Sequence, residues 1–449
     1  MNAPLNIVII GGIGAGMSVA AKAKRENPDA HITVIEREDY ISFGACGLPY
    51  YLGQQFDDPA YMFARTPAEI EKSGIQLLLQ TEAIQLHFDQ KQVEIRNLLT
   101  QEVSKIPYDR LVITTGASPQ QLDLAGVSAK NLYLHTKLRD VEALKNDLHK
   151  YQHITVIGGG FIGVEVADQL AALGKKVTIL QGGAHIMQGP FDTEFSEKIE
   201  KALSKERIKI RLGEVVTGLK VVDNRIQSVM TTDEHLPTDA VVVAIGFRPN
   251  TEFITDPRLE KLPNGAIVIN HYGETSIPDV FSAGDCATVP HRQLGNRYLP
   301  LATYANKLGR LIGTNVVSSK ESYLAFPGAL GSSLLKVGQY ECGSTGLTEK
   351  MALEAGISHK TTLIATPNHT NYYRGQVTLT IKLVYDPKTK VLLGAQIFGK
   401  KDAALRLHAL SIAIHAGITT DELGFIDLGY APPFTTTWEA INIAANTAK

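Results

Sequence analysis

The chain has 449 residues, of which 44% are hydrophobic and 20% are charged, and its formal net charge is -2. This length exceeds what one hydrophobic core usually organises and predicts about three domains, while the near-neutral charge leaves no basic field for nucleic acid. Three cysteines are too few and too far apart for a disulfide framework or a zinc site. We therefore expect a cytoplasmic protein without a bound metal, a membrane span or a nucleic-acid partner.

The first predicted elements form a βαβ unit. Residues 7–10 are a short β-branched run, which is typical of a strand buried on both faces of a parallel sheet. A helix from Met17 to Arg25 and a second strand from His31 to Glu36 follow. Such a unit predicts a nucleotide-binding domain.

The turn after the first strand is rich in glycine. Gly11 and Gly16 hold the outer positions of a GxGxxG pattern, whereas Ile13 takes the middle one and Gly12 and Gly14 stand beside it. Glu36, at the end of the second strand, is an acid that can hold an adenosine ribose. The pattern predicts a nucleotide site, and the alternative is that the glycines only permit close packing.

Segment 40–53 follows this unit and contains Cys46 as its only cysteine. No internal dithiol can form there, so a redox-active Cys46 must cycle between thiolate and a mixed disulfide or a sulfenic acid. The sequence Gly47-Leu48-Pro49 favours a helix start, whose dipole would lower the pKa of the Cys46 thiol. The alternative is a buried and inert cysteine.

A second βαβ unit covers residues 154–181. Gly158, Gly160 and Gly163 fit the GxGxxG pattern fully and predict a second nucleotide site. Gln181 stands at the strand end in place of the acid that selects NAD over NADP. It either admits a 2′-phosphate, together with His185, or hydrogen-bonds the ribose hydroxyls, so NADH and NADPH both stay open.

Later strands complete the predicted fold. Buried strands end at Gly116 and Gly246, which we interpret as crossing points between domains, and Gly284 and Asp285 follow a strand at a predicted helix start. Alternating strands after Phe326, followed by an apolar helix over 403–416, predict an α+β domain. We therefore predict an α/β protein with two Rossmann-like dinucleotide-binding domains and a C-terminal α+β domain. The expected boundaries are 1–115 with 248–325, then 116–247, then 326–449.

The order of these motifs resembles the pyridine nucleotide-disulfide oxidoreductase superfamily over nearly the whole chain. The resemblance implies that the first domain binds FAD, that Asp285 holds its ribityl chain, that the second domain binds NADPH or NADH, and that the third forms a homodimer. Disulfide reductases of the superfamily carry two cysteines near the flavin. Here Ile41 and Ser42 stand where the partner of Cys46 would be, so the chain resembles the single-cysteine branch of coenzyme A-disulfide reductases, NADH oxidases and NADH peroxidases.

Within that branch, the pattern Ser42-Phe-x-x-Cys46-Gly and the glycine turn most resemble the coenzyme A-disulfide reductases. Peroxidases and water-forming oxidases usually have a histidine where this chain has Gly14. In the reductases a tyrosine pair reaches the cysteine of the partner subunit, and Tyr372 and Tyr430 match it. The resemblance also implies that Asn306 lies near the bound thiol. Lys22 and Arg25, with Ser42, are candidates for binding the substrate.

The resemblance implies the reduction of coenzyme A disulfide, or of a similar small disulfide, through a mixed disulfide on Cys46. Two alternatives stay open. One is an NAD(P)H oxidase that reduces oxygen through flavin and a cysteine sulfenic acid, and the other is a slow thiol-redox sensor. Because no rhodanese-like segment follows Lys449, we do not expect a fused persulfide-processing domain.

Overall fold

The computed structural model of the protein describes residues 4–449. The chain forms two compact units. The first contains the chain up to Gly47, Phe56–Gln120 and Phe247–Ala329, and the second contains Leu48–Gln55, Gln121–Gly246 and Leu330–Lys449. Segments that are distant in sequence therefore fold together in each unit. The three-domain boundaries given above are a finer division and stay a prediction.

The strands, in chain order, are β1 (Asn6–Ile10), β2 (His31–Ile35), β3 (Ile75–Leu78), β4 (Thr81–His87), β5 (Gln92–Asn97), β6 (Val103–Pro107), β7 (Arg110–Ile113), β8 (Ala117–Pro119), β9 (Leu132–Leu134), β10 (His153–Ile157), β11 (Lys176–Gln181), β12 (Lys209–Leu212), β13 (Val216–Val222), β14 (Arg225–Thr231), β15 (His235–Pro237), β16 (Ala240–Val243), β17 (Phe247–Pro249), β18 (Val280–Ser282), β19 (Val289–His291), β20 (Gly295–Arg297), β21 (Ser333–Val337), β22 (Tyr340–Gly346), β23 (Lys360–Pro367), β24 (Thr378–Tyr385) and β25 (Leu392–Gly399). The helices are α1 (Gly14–Glu26), α2 (Leu48–Leu52), α3 (Pro67–Glu71), α4 (Leu138–Asp147), α5 (Phe161–Ala172), α6 (Thr193–Lys205), α7 (Ala302–Asn315), α8 (Glu349–Glu354), α9 (Ala403–Ala416), α10 (Thr420–Leu423) and α11 (Ala440–Asn446). Short 3-10 turns cover Ala45–Gly47, Pro59–Met62, Leu148–Lys150 and Lys320–Ser322.

The first unit is built on a parallel sheet with the strand order β18-β7-β1-β2-β3. Residues 7–10 of β1 are all buried, as expected of a strand that is covered on both faces. The predicted first βαβ unit is confirmed, although its helix begins earlier than predicted, at Gly14. The carboxyl ends of these parallel strands lie at the same edge, where open α/β sheets bind their ligands.

Two glycines let helix α7 pack closely on α1 in this unit. A Cβ at Gly309 would lie 2.5 Å from the carbonyl oxygen of Ala15, and a Cβ at Gly313 would lie 2.6 Å from the Cβ of Lys22. A backbone carbonyl within a helix cannot move aside cheaply, so a side chain at Gly309 would push the helices apart. The close packing fixes α1, which starts in the first glycine turn.

The second unit contains a parallel sheet with the order β12-β11-β10-β16-β9 and an antiparallel sheet with the order β21-β22-β25-β24-β23. Strands β10 and β11, joined through α5, form the predicted second βαβ unit. In the C-terminal part, Leu379, Ile381 and Leu383 of β24 share a buried core with Leu407 and Leu410 of α9. This arrangement confirms the predicted α+β layout after Phe326.

The predicted helix start at Asp285 is wrong. Gly284 has a φ of 80°, and residues 284–286 form a turn that leads into β19. Ala287 pairs with Ile267 in a parallel bridge, which draws the chain into extended backbone where a helix was expected. The next helix, α7, begins only at Ala302. None of the helices in residues 4–449 is both long and apolar enough to cross a membrane.

A buried lysine in the second unit is surrounded by carboxylates. Lys382 on β24 is 3% exposed, and its Nζ lies 3.0 Å from Oδ2 of Asp192 and 2.6 Å from Oε2 of Glu349, with Glu194 as a third partner. These three acids are grouped closely enough to hold a cation, and the lysine ammonium lies among them. Burial disfavours the ammonium, but the hydrogen bonds to Glu194 and Glu349 outweigh it, and the pKa of Lys382 is raised.

We expect Lys382→Met to lower the free energy of unfolding by about 3 kcal/mol, because it leaves Asp192 buried among carboxylates without a counter-charge. Because folding raises the pKa of Lys382, the contribution of its ammonium group to stability is fully present at neutral pH. This contribution is lost only as the pH rises through the raised pKa. Urea unfolding followed by circular dichroism measures the change. Lys350→Met, which removes an exposed ammonium from α8, is the control. A loss below about 1 kcal/mol would contradict this structural role.

Candidate active site

The glycine turn after β1 is shaped for close approach to the backbone. Gly11 has a φ of 105°, and a Cβ at this position would lie 2.1 Å from the carbonyl oxygen of Thr114. A Cβ at Gly16 would lie 1.8 Å from the carbonyl oxygen of Gly11. Only glycine fits at either position. The turn therefore leads tightly into α1, whose first N–H groups can bind a pyrophosphate.

Glu36 lies at the end of β2, beside this turn. Its side chain is 6% exposed, and its Oε2 accepts a hydrogen bond of 2.6 Å from the N–H of Gly12. Its Oε1 accepts a second hydrogen bond, of 2.8 Å, from the N–H of Glu38. Backbone donors thus fix the orientation of the carboxylate, which at this place can accept hydrogen bonds from ribose hydroxyls.

The residues after β18 add polar groups to the first unit. Burial raises the pKa of Asp285, so its ionised form gains from a hydrogen-bonding ligand. The pKa of Tyr298 is also raised, first by burial and then by the charge of Asp285, and its buried hydroxyl has no hydrogen-bond partner within residues 4–449. A Cβ at Gly116 would meet no atom within 4 Å.

These features fit FAD. The Gly11–Gly16 turn suits its pyrophosphate and Glu36 suits its adenosine ribose. The polar side chains of Asp285 and Tyr298 suit the hydroxyl-bearing chain between pyrophosphate and flavin, because they offer the hydrogen-bonding capacity that a polyhydroxyl ligand requires.

The second unit repeats the geometry of the first glycine turn. Gly158 has a φ of 107°, and a Cβ there would lie 2.2 Å from the carbonyl oxygen of Ala244. A Cβ at Gly163 would lie 2.0 Å from the carbonyl oxygen of Gly158. Gly160 and Gly246, by contrast, have no atom within 4 Å of a Cβ position, so they leave open space. The turn fits a second dinucleotide.

Gln181 takes the position on β11 that Glu36 takes on β2. Its Oε1 accepts a hydrogen bond of 3.0 Å from the N–H of Gly159. The Oε1 of Gln181 is therefore already occupied by the glycine turn. The Nε2 group of Gln181 lies toward Gly183, and a Cβ at Gly183 would be 2.9 Å from it. Position 181 consequently offers a ligand N–H donors rather than a carboxylate.

We expect Gln181→Glu to shift the nucleotide preference toward NADH. The new carboxylate would accept hydrogen bonds from a 2′-hydroxyl and repel a 2′-phosphate, so the ratio of kcat/KM for NADPH to that for NADH should fall about tenfold or more. Glutamate keeps an acceptor for Gly159, whereas the comparison variant Gln181→Ala removes it. Initial rates with each nucleotide provide the test, and an unchanged ratio would mean that residue 181 does not contact the ribose.

Cys46 lies in the 3-10 turn Ala45–Gly47, and the chain before this turn is anchored at two points. Ser42 has a φ of 55°, in the left-handed region that residues other than glycine rarely adopt. Its N–H donates to the carbonyl oxygen of Gly12 at 3.0 Å, and its own carbonyl oxygen accepts from the N–H of Ala64 at 3.0 Å. The loop with the cysteine is thereby tied to the first glycine turn. Helix α2 begins at Leu48, as predicted.

The three cysteines differ sharply in their surroundings. Cys46 is exposed, whereas Cys286 and Cys342 are buried. Burial raises the pKa of the Cys286 thiol and raises that of Cys342 to about 12. Cys286 packs in the core of the first unit, as the sequence favoured. Of the three cysteines, Cys46 is therefore the one that a substrate can reach.

Helix α2, directly after the cysteine turn, contacts α5 within the second unit. The hydroxyl of Tyr50 donates a hydrogen bond of 3.2 Å to Oε1 of Glu165. Burial raises the pKa of Glu165, so this carboxyl holds a proton more readily than an exposed one. Glu165 belongs to none of the motifs recognised in the sequence. The available signal was an acid two residues after Gly163, on a helix that is otherwise largely apolar.

The predicted tyrosine pair is formed within the second unit. The hydroxyls of Tyr372 and Tyr430 are 2.8 Å apart, and the two side chains are 71% and 46% exposed. The hydrogen bond to Tyr372 raises the pKa of Tyr430, which keeps its phenol protonated at neutral pH. Tyr373 instead packs edge-on against His369. A pair of phenol hydroxyls at the surface is suited to donating a hydrogen bond to a ligand.

Several residues predicted to bind substrate lie on α1 and α7. The Oγ of Ser18 donates hydrogen bonds to the carbonyl oxygen of Gly14 at 2.7 Å and to Oδ1 of Asn306 at 3.0 Å, so these residues lie together. Lys22 forms an ion pair with a glutamate one turn later, whereas Arg25 is exposed. Of the two predicted cations, Arg25 is therefore the one more open to a phosphate.

Two parallel sheets, each with a glycine turn shaped for a dinucleotide, and an exposed cysteine after the first turn define a two-nucleotide flavin oxidoreductase. A sequence profile of the pyridine nucleotide-disulphide oxidoreductase family matches residues 5–309, and a profile of the dimerisation domain of that family matches residues 333–441. The chain belongs to this family of FAD-dependent oxidoreductases, and the matched dimerisation domain indicates a homodimer.

Proteins similar to this chain include both reductases and oxidases. The NAD(P)H coenzyme A polysulfide/persulfide reductase of Pyrococcus horikoshii is 34% identical over 451 residues, which cover 100% of this chain and 99% of the relative. The structure of the water-forming NADH oxidase from Lactobacillus brevis, bound to NADH, has a TM-score of 0.95 at 31% identity and covers 99% of this chain and 98% of that one. Reduced Bacillus anthracis CoADR-RHD has a TM-score of 0.94 at 28% identity, with 99% and 80% covered. Similarity alone does not choose between these activities.

Proposed function

We propose that the protein reduces coenzyme A disulfide, or a related small disulfide, with NADH or NADPH through FAD and Cys46. The observation that carries the proposal is that Cys46 is exposed on an anchored turn while the other two cysteines are buried. A disulfide substrate therefore meets a single accessible sulfur. Exchange at that sulfur leads to a mixed disulfide with the substrate and not to an internal disulfide.

In the proposed reaction the thiolate of Cys46 attacks one sulfur of coenzyme A disulfide. The disulfide bond of the substrate breaks, the first coenzyme A leaves and takes a proton, and the second stays on Cys46 as a mixed disulfide. FAD, when bound, supplies the two electrons that it receives as a hydride from the nicotinamide nucleotide. Reduction of the mixed disulfide releases the second coenzyme A and regenerates the thiolate. One nucleotide and one proton are consumed for each disulfide.

The proposal assigns the nucleotides and the substrate to separate groups of residues. FAD is assigned to Gly11, Gly12, Gly14, Gly16, Glu36, Gly116, Gly284 and Asp285, and the nicotinamide nucleotide to Gly158, Gly160, Gly163, Gln181 and Gly246. Coenzyme A is assigned to Ser42, Asn306, Lys22 and Arg25, and the pair Tyr372 and Tyr430 is assigned to the leaving thiolate in the site of the partner subunit. A reducing cytoplasm fits a chain with three unpaired cysteines.

A second candidate function is the reduction of oxygen, which the similarity to the Lactobacillus brevis oxidase favours. Gly14 argues against it, because oxidases and peroxidases of the branch usually have a histidine at this position. A Cβ at Gly14 would lie 3.7 Å from Nδ2 of Asn306. A carboxamide at this place does not deliver a proton as an imidazolium does. A slow redox sensor acting through Cys46 is the third reading.

Steady-state oxidation of NADH and NADPH separates the three functions. A disulfide reductase should turn over with coenzyme A disulfide in the absence of oxygen and faster than with oxygen alone. An oxidase should show the reverse order. A sensor should undergo one round of flavin reduction without sustained turnover under either condition. The proposal fails if the anaerobic enzyme does not turn over with coenzyme A disulfide.

A further inference from the structure

The turn that carries Cys46 packs against the segment 59–64 of the same unit. The N–H of Gly44 donates a hydrogen bond of 2.7 Å to the carbonyl oxygen of Met62. The rings of Phe43 and Phe63 pack with their centres 5.2 Å apart, and both contact Tyr40. The surface next to the cysteine is therefore held by backbone hydrogen bonds and by an aromatic cluster.

A large apolar side chain stands exposed on this segment. Tyr61 is 81% exposed, and its ring meets the ring of Phe56 edge-on, with the centres 6.4 Å apart. Met62 and Phe56 connect this ring with the cysteine turn, because a Cβ at Gly47 would lie 3.0 Å from Sδ of Met62 and 3.6 Å from Cζ of Phe56. We call Phe56, Tyr61 and Met62 the aromatic shelf.

Covalent chemistry at Cys46 restricts where a substrate can lie. A mixed disulfide holds the sulfur of the substrate about 2 Å from that of Cys46, so the next atoms of the substrate must extend over the neighbouring surface. The aromatic shelf adjoins the turn at Gly47 and is part of that surface. An exposed ring with a hydroxyl at its edge suits a chain that alternates methylene and amide groups.

The charges beside the aromatic shelf favour a neutral part of the substrate. Asp57 and Asp58 are exposed and lie between Phe56 and the 3-10 turn that carries Tyr61. These carboxylates would repel a phosphate group but not an amide. We therefore expect the phosphates of a nucleotide-bearing thiol to lie beyond the aromatic shelf.

We infer that the aromatic shelf binds the uncharged, amide-bearing arm next to the reactive sulfur, as in the pantetheine part of coenzyme A, and selects disulfides that carry such an arm. The inference rests on the proposed exchange at Cys46 and names the part of the substrate that the first unit recognises. Tyr61 is a specificity-determining residue in this reading, because it is the most exposed member of the aromatic shelf.

The test compares Tyr61→Ala and Tyr61→Phe holoenzymes with three disulfides: coenzyme A disulfide, pantethine, which has the amide arm without the nucleotide, and cystamine, which has neither. Tyr61→Ala should lower kcat/KM about five- to tenfold for the first two and leave cystamine unchanged within about twofold. Tyr61→Phe keeps the ring and should retain most of the activity. Leu99→Ala, which shortens an exposed apolar side chain between β5 and β6, is the matched control and should change none of the three.

Each contrary pattern has a definite meaning. A loss of activity confined to coenzyme A disulfide would place the nucleotide on the aromatic shelf. An equal loss with cystamine would indicate a disturbed cysteine turn, and no loss with any disulfide would leave Tyr61 without a role. Each of these three results overturns the inference. Failure of the proposed function looks different, because the wild type would reduce none of the disulfides. In that case the inference is tested by the rate at which pantethine modifies Cys46, which intact mass measures in wild type and in Tyr61→Ala. Equal rates in the two proteins overturn the inference.

Discussion

Cys46→Ser is expected to bind FAD and to accept a hydride at the wild-type rate, yet to lose coenzyme A disulfide reduction by about 1,000-fold or more. The two nucleotide sites consist of glycine turns and strand-end side chains to which the thiol contributes nothing. A serine hydroxyl cannot form the mixed disulfide on which the proposed reaction depends. Anaerobic stopped-flow bleaching of the flavin measures hydride acceptance, and NADH or NADPH oxidation with coenzyme A disulfide measures turnover.

The other two cysteines supply the matched controls for this prediction. Cys286→Ser and Cys342→Ser remove thiols that are buried and have raised pKa values, so they should cost stability rather than disulfide turnover. Intact mass adds a second readout, because a coenzyme A adduct should appear on these variants and be absent from Cys46→Ser. If Cys46→Ser keeps more than a few per cent of turnover, Cys46 is not the exchange centre.

The parts of the fold that could be predicted are those that short stretches of sequence determine. The run over residues 7–10 has the composition of a doubly covered strand, and it is the buried centre of a parallel sheet. Gly11 and Gly158 lie in turns with positive φ, where any other residue would meet a backbone carbonyl. These features depend on local geometry, so a single sequence is enough to recognise them.

The parts that could not be predicted depend on contacts between distant segments. Asp285 was expected at a helix start, but pairing of Ala287 with Ile267 extends the chain there. The ion cluster of Lys382 draws its acids from elements far away in sequence. The raised pKa of Glu165 follows from burial, which no local pattern reports. The contact of segment 59–64 with the cysteine turn likewise requires the packing of two separate loops.

The double variant Tyr372→Phe/Tyr430→Phe is expected to fold and to take up hydride normally, while coenzyme A disulfide turnover falls by about 100-fold. Each change removes only a hydroxyl from an exposed side chain, and together they abolish the hydroxyl pair that lies 2.8 Å apart. The hydrogen bond between the two hydroxyls raises the pKa of Tyr430, so its protonated phenol is available at neutral pH to a departing thiolate. Steady-state turnover combined with stopped-flow flavin reduction measures both halves of this prediction.

Mixing the two inactive proteins tests where the tyrosines act. If the dimerisation domain supplies Tyr372 and Tyr430 to the Cys46 of the partner subunit, a mixed dimer of Cys46→Ser and the double tyrosine variant has both defects in one site and an intact second site. Random exchange of equal amounts makes half of the dimers mixed, so activity should return to about one quarter of the wild-type value. Native mass spectrometry verifies the exchange. If mixed dimers form and stay inactive, the tyrosines act on the cysteine of their own chain, because each subunit then has one of the two defects in its own site and no combination restores a complete site. If the tyrosines have no part in the exchange, the double variant is already active before mixing.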